Sequence, residues 1–460
     1  MKTKEMDMLN GSLAGKLILF SIPLAFSSIL QQLFNSADVA VVGRFAGDRA
    51  LAAVGSCVAL VGIFVNLIVG LSVGPNAMLA NLIGQKKRDR INSALHTVLT
   101  FGFLCGIVLM CIGMLSAGII LELSGTPQSV MGEALLYIRI YFLSIPFMVI
   151  YNFGSAVLRS FGDTKRPMYY LLISGAVNVV LNLILVICFK LGVAGVAIAT
   201  LISNILSMSL VMIHLHGKQD EFQFRFKKMK IEKNDLKKVL IIGIPAGIQG
   251  AIFSISNVFI QSGINSFGED AIAGSSLALN FEYFTYDIAN AFAQAAVTFT
   301  SQNYGAGNLK RCKKIFWLCM LFGIAFTEIL CIIFMAGDDF FVRIYTVSDA
   351  VAAFGLIRMH HVCSLEGLTA TYEVESAALR GMGKSLEPSI ITILGTVGFR
   401  LLWMVTVFKW IPTFEMLMNV YLASWLVTGG ALFVVYLHHV KKAEKNQREC
   451  DRNEKKNFLQ

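Results

Sequence analysis

Ser155-Ala-Val-Leu-Arg-Ser-Phe-Gly-Asp-Thr-Lys-Arg-Pro167 and Ser376-Ala-Ala-Leu-Arg-Gly-Met-Gly-Lys-Ser-Leu-Glu-Pro388 are one pattern written twice, 221 residues apart. Ser-Ala, Leu-Arg, a glycine and a proline coincide at that spacing. Gly84 and Gly305 keep it too, each opening a basic loop. At a spacing of 222, Pro23 pairs with Pro245, Asn35 with Asn257, Phe45 with Phe267 and Asp48 with Asp270. So many matches in one register mark an internal duplication.

Each copy lies between apolar runs, and such runs fill the chain. The 460 residues are 56% hydrophobic and 15% charged, with a mean hydropathy of +0.67. Soluble domains carry about a quarter charged residues. Runs of about 20 apolar residues recur from Lys16–Val42 to Phe414–Leu437, each long enough to cross the ~30 Å hydrocarbon layer as a helix. A lipid-exposed backbone must satisfy its own hydrogen bonds, which selects helices. Counting runs between polar breaks predicts about twelve transmembrane helices. Six spans separate equivalent positions, and six is even, so the halves share one orientation. The fold class read here is an all-α polytopic membrane protein of two pseudo-symmetric six-helix bundles, a parallel repeat with a cleft between bundles. The expected divisions are an N-terminal bundle over 1–215, a basic linker over 216–237, a C-terminal bundle over 238–440 and a polar tail over 441–460. No small-residue cleavage site follows the first apolar run, which is read as a retained helix.

Charge sets the orientation. Placing the loops on alternate sides puts thirty-one Lys and Arg on one face and five on the other (Arg44, Arg49, Lys190, Arg343 and Lys409), with Arg139, Arg358 and Arg400 inside spans. The positive-inside rule then makes both termini and the linker cytoplasmic. The net charge of +10 is dispersed over loops facing anionic lipid, so membrane lipid is an expected partner and nucleic acid is not. The nine cysteines form no C-x-x-C pair, and the seven histidines show no metal-ligand spacing. No nucleophile–base pattern appears, and the chain is not read as an enzyme. Most of the 34 Phe and 19 Met are packing or lipid-facing residues; a few can line a cleft that adapts to different shapes.

A charge at mid-membrane costs at least ~2.5–3.5 kcal/mol and needs a function or a partner. In the first span Gln31, Asn35 and Asp38 fall at i, i+4 and i+7, on one helical face. Asn178 and Asn182 are one turn apart in the fifth span, and the sixth offers Thr200, Ser203 and Asn204. Either these groups enclose Asp38 in a polar pocket, or Asp38 caps a hydrated helix end near Arg44. The second bundle holds more acid. Glu282 and Tyr286 share a face of the eighth span, as do Tyr283 and Asp287. Glu366 and Glu373 nearly superpose on a tenth span read as continuous, with Glu375 pointing elsewhere. Arg400 is expected to neutralise one of these carboxylates. The cluster reads either as an internal ion-pair network or as an acidic cleft wall that attracts cations or exchanges protons.

Four stretches, in order, resemble the multidrug and toxic compound extrusion family. They are Ser36-Ala-Asp-Val-Ala-Val-Val-Gly-Arg-Phe45 with Ala50-Leu-Ala-Ala-Val54, then Ser301-Gln-Asn-Tyr-Gly-Ala-Gly-Asn308, Ala378-Leu-Arg-Gly-Met-Gly383 and Phe399-Arg-Leu-Leu-Trp403. The resemblance implies an exporter of cationic, amphipathic small molecules driven by inward H⁺ or Na⁺, with no other cofactor. Asp38 matches the family's acidic coupling residue of the first span. Asn178 matches the first of an Asn/Asp pair in the fifth span, but Asn182 stands where the Asp would be. Phe253-Ser254 replaces the seventh-span Glu of another subgroup. With one acid fewer in the pocket, protons are favoured over Na⁺ at Asp38. Glu282 and Glu373 resemble acidic positions of bacterial members and form, with Tyr283, Tyr286, Asp287 and Arg400, the expected substrate or second coupling site.

The expected protein is thus a monomeric alternating-access antiporter of the cell's inner membrane. The alternative is a lipid-linked oligosaccharide flippase of the same superfamily, which would want a strongly cationic cleft.

Overall fold

A helix in lipid closes all its backbone bonds within one segment, and the computed structural model of the chain follows that rule from end to end. It describes residues 6–458, with side chains to Glu449. Lys2, Lys4 and the side chains beyond Glu449 lie outside the described residues. The first half comprises spans Ala14–Phe45, Asp48–Gly84, Arg88–Leu123, Gln128–Leu143 with Ile145–Ser160, Lys165–Cys188 and Gly192–Gly217. The second comprises Lys233–Asn265, Glu269–Gly305, Leu309–Ala336, the tenth span in pieces, Leu386–Trp410 and Phe414–Phe458. Among the described residues nine helices are long and apolar enough to cross a membrane, and the bent fourth makes a tenth. The eighth and tenth complete the twelve. They fall short of that standard where they carry Glu282 and Asp287, and Arg358, Glu366, Glu373 and Glu375.

The duplication is written in the backbone more clearly than in the residues. Gly47 and Gly268 hold φ of 88° and 91°, and Gly162 and Gly383 hold 95° and 81°. Lys86 and Gly307, also 221 apart, hold 55° and 73°. Glycine enters this left-handed region without penalty. Lys86 shows that the loop needs the turn even where glycine is missing.

The breaks repeat as well. The fourth span bends by 42° around Ser144, just before Pro146, whose ring cannot follow a helical turn. The tenth span, read from sequence as continuous, is interrupted. Asp349–Val362 passes into a tight 3-10 stretch, Cys363–Leu368, before Thr369–Gly381 resumes, and Leu365 leaves helical geometry (φ −136°, ψ 24°). Leu365 lies 221 after Ser144. Where the first half has Pro146 the second has Gly367, whose freed N–H donates to Glu328 Oε1 at 2.9 Å. Glu366 and Glu373 therefore do not superpose on one straight helix face.

The linker is ordered. Phe222 and Phe224 are buried, Phe224 stacks on His96, and Asn92 Nδ2 donates to the carbonyls of Glu221 and Gln223. Arg90 closes on buried Asp235 at 2.5 Å. The polar tail likewise continues the last helix, and Lys313 Nζ meets Glu444 Oε1 at 2.5 Å.

By contacts the chain forms two units, one including Leu19–Ile255 and the other Met8–Ile18 with Ser256 onward. The division passes through the first and seventh spans. Within the first unit, glycine lets the seventh span lie directly on the second: a Cβ at Gly250 would stand 2.7 Å from the Asn66 carbonyl, and one at Gly243 2.8 Å from that of Leu71. Within the second unit, Arg311 donates to the carbonyls of Met8, Asn10 and Gly11 at 3.2, 3.1 and 3.0 Å, fixing the approach to the first span.

Candidate functional site

In the first unit the polar groups do gather around Asp38. Asn182, wholly buried on the fifth span, donates its side-chain N–H to Asp38 Oδ1 and also to Asn178 Oδ1 at 3.3 Å. Close approach permits this: at Gly175, one turn before Asn178, the Phe34 ring of the first span occupies the space a Cβ would need. Tyr137 and Tyr141 of the fourth span lie within electrostatic reach of the carboxylate. Asn182 Oδ1 is buried without a partner among the described residues. Buried polar atoms normally find one, so the pocket keeps an open acceptor beside its acid. The other expected members stand apart: Gln31 is exposed, Ser203 donates to the Ser174 carbonyl at 2.8 Å and Asn204 to the Thr200 carbonyl at 3.0 Å. Asn35 is exposed, and Thr200 Oγ1 donates to its own helix at the Val196 carbonyl (3.0 Å).

The acids of the second unit sort into three environments. Glu282 is 6% exposed and bound by Arg358, itself 3% exposed: Nε to Oε1 is 2.5 Å and Nη2 to Oε2 is 2.7 Å. Arg358 Nη1 donates to Ser275 at 2.6 Å, and its Cζ lies 5.4 Å from the centre of the Tyr421 ring. Such a fork-to-fork pair combines charge with planar fit. Arg358 of the tenth span, not Arg400, neutralises Glu282. Arg400 comes from the eleventh span, its Cζ lies 4.7 Å from the centre of the same Tyr421 ring, and its Nε reaches Ser424 at 3.3 Å. Glu366, at the break in the tenth span, accepts from Thr285 of the eighth. Glu373 accepts from Tyr286 at 2.9 Å, so Tyr286 serves Glu373 and not its helix neighbour Glu282. Asp287 is half-buried and makes neither a hydrogen bond nor an ion pair among the described residues. Tyr283 is 40% exposed.

The family model MatE matches residues 23–184 and again 245–405, beginning at Pro23 and at Pro245, the first pair of the repeat. The chain belongs to the MatE family. The probable multidrug resistance protein YoeA of Bacillus subtilis (strain 168) is 29% identical over 391 residues, covering 83% of this chain and 84% of that protein. The probable multidrug resistance protein NorM of Thermotoga maritima is 24% identical over 384 residues, 82% of each. A crystal structure of MATE in complex with MaL6 superposes with a TM-score of 0.89 at 21% identity, covering 96% of this chain and 100% of that one. At that identity the superposition speaks for the fold. This MatE chain is a membrane-embedded transport protein of two repeated six-span halves.

Three residues of the second unit lie outside the set expected to form the site, although Arg358 and Glu375 stand out in the sequence as intramembrane charges. Arg358 and Glu328 are charges inside spans, and the mid-membrane cost that singled out Asp38 applied equally to them. Glu375 is buried with Oε2 unpaired among the described residues. No sequence signal separates it from its neighbours, because its isolation comes from what other helices fail to place beside it.

Proposed function

We propose that this MatE transporter is a secondary active exporter of cationic, amphipathic compounds, worked by alternating access and driven by an inward ion gradient. The observation that carries the proposal is the Asp38–Asn182–Asn178 chain of hydrogen bonds within the membrane span. Asp38 is the acid that changes charge. Deprotonated, it accepts from the Asn182 amide, as in the structure. Protonated, it becomes a donor, and an amide offers both a donor and an acceptor end. Rotating the Asn182 amide would present its now unpartnered Oδ1 to the carboxylic acid. The pocket thus serves both forms without a fixed counter-charge, which suits a proton; a Na⁺ ion would take Asp38, Asn178 Oδ1 and Asn182 Oδ1 as oxygen ligands.

Asp287, half-buried and without a hydrogen-bond or ion-pair partner among the described residues, is the proposed contact for substrate cations, with Tyr283 one turn away. Glu282 is committed to Arg358. Arg358 and Arg400 are likewise committed, to Glu282 and to the Tyr421 ring, so these two present no cationic surface to a pyrophosphate-linked lipid. This favours export of cations over flipping of lipid-linked sugars. The charge split supports a plasma-membrane orientation with the linker and both termini in the cytoplasm; that the transporter acts as a monomer is part of the proposal. The names of the curated relatives, multidrug resistance and export proteins, agree with this reading.

The test is transport of a cationic dye by purified protein in liposomes under separately imposed H⁺ and Na⁺ gradients. Dye movement against its gradient under one ion alone is expected, and equal rates with and without either gradient would reject coupling.

A further inference from the structure

The second half places different residues at several positions that lie near Asp38 in the first, while Asp38 and Asn182 themselves correspond at the 222 spacing to Ile260 and Met404. By the 221-residue spacing, Tyr137 corresponds to Arg358, Thr200 to Tyr421 and Ser203 to Ser424. The eleventh span holds a π-helical segment, Ile393–Gly398, before Arg400. A π turn takes up one extra residue, which moves the local spacing to 222 and sets Arg400 at the place of Asn178. The fifth span has its own π segment, Ile184–Cys188, after Asn178, and this returns the spacing to 221 by the sixth and twelfth spans. Position by position, Tyr137, Asn178, Thr200 and Ser203 of the first half, of which Asn178 bonds into the Asp38 pocket, are matched in the second by two arginines, a tyrosine and a serine.

The acid differs in origin as well. Asp38 enters from the first span, whereas Glu282 enters from the eighth, where its counterpart on the second span is Val61. What each acid meets is the important contrast. Asp38 meets an amide and an open acceptor. Glu282 meets a guanidinium held by both carboxylate oxygens, by Ser275 and by the Tyr421 face, all almost wholly removed from solvent. Breaking that pair to load another ion would leave a buried Arg358 unmatched, which is strongly unfavourable.

We propose that the second half holds a cation site whose occupant is built in: the Arg358 guanidinium, at the position of Tyr137 in the repeat, fills the place beside Glu282 that an exchangeable cation would otherwise take. The comparison rests on reading the Asp38 pocket as the coupling site. Glu282 then stays paired through the transport cycle. Once the Arg358 side chain is shortened, the site takes a small monovalent cation, and guanidinium above others, because the fork of oxygens and the ring face are shaped for it.

Chemical rescue tests this. Full-length Arg358→Ala, purified in detergent, should unfold several degrees below wild type. Millimolar guanidinium chloride, far under denaturing concentrations, should restore about half or more of the lost Tm saturably, as binding to the folded state requires. Choline chloride at equal ionic strength should not. Glu282→Gln/Arg358→Ala, without the carboxylate, should show no guanidinium effect. An Arg358→Ala protein indifferent to guanidinium, or an equal recovery in the double variant, overturns the proposal. If Arg358→Ala is lost on extraction, Arg358→Gln takes its place with the same two outcomes. None of these readouts involves Asp38, so a failure of rescue is distinct from a failure of Asp38 to couple.

Discussion

Replacing Asp38 by asparagine separates coupling from stability, and the structure says by how much. The carboxylate accepts one bond from Asn182, whose own Oδ1 has no partner. In Asp38→Asn the new side-chain amide supplies a donor, and a rotated Asn182 supplies the acceptor, so the hydrogen-bond count is kept. A charge-assisted bond of ~1.5–3 kcal/mol becomes a neutral one of ~0.5–1.5. Against that loss, a charge costing at least ~2.5–3.5 kcal/mol at mid-membrane disappears. The gain exceeds the loss by roughly 1–2 kcal/mol, so the folded state should be no less stable than wild type. Asp38→Leu, in contrast, strands one Asn182 N–H in a buried pocket, the other still reaching Asn178, and should cost ~1–3 kcal/mol. The assay has three arms on purified protein: thermal unfolding, equilibrium dye binding, and dye transport in liposomes under imposed H⁺ or Na⁺ gradients. Asp38→Asn is expected to unfold at or slightly above the wild-type temperature and to bind dye. Its transport rate should be the same with and without the gradient. Gradient-driven efflux at the wild-type rate would remove Asp38 from the mechanism and turn attention to Glu366 and Glu373, acids of the second unit that accept from a hydroxyl and not from an arginine.

Glu282→Gln should behave in the opposite way, destabilising by ~3–5 kcal/mol because it leaves Arg358 as an unmatched buried charge; Glu282→Gln/Arg358→Met should recover most of that in thermal unfolding, and a Glu282→Gln protein as stable as wild type would refute the pairing. Asp287→Asn should weaken binding of cationic dyes more than of neutral dyes of like shape, and more than Glu373→Gln does, since Tyr286 already serves Glu373; equal losses for both dye types would remove Asp287 from substrate recognition. Cysteines replacing exposed Lys228 and Val347 (95% exposed), in a background without native cysteines, should label from opposite sides of the membrane, Val347→Cys from outside; labelling of both from outside intact cells would invert the topology.

The sequence by itself determined the class of fold, the number of spans and the duplication. Those follow from apolar length, from loop charge and from a register of small residues and prolines, all of which are local properties of the chain. It also picked out Asp38, Asn178 and Asn182, because a polar residue inside an apolar run stands out whatever surrounds it. Tertiary structure decided which of those groups meet. Asn182 reaches Asp38 across 144 residues of chain, while Asn35, one turn from Asp38, is left exposed. Choosing between Arg358 and Arg400 as the partner of Glu282 was equally beyond sequence: both are intramembrane cations, and only the packing of the tenth span on the eighth brings one guanidinium to 2.5 Å. The break at Leu365 was hidden for a related reason. Its cause lies partly in Glu328 on the ninth span, which holds the freed Gly367 amide, so no reading of the tenth span alone contains it. Partnership in a membrane is set by which helix faces which. That depends on close approaches such as Phe34 against Gly175, and these exist only when the spans are packed.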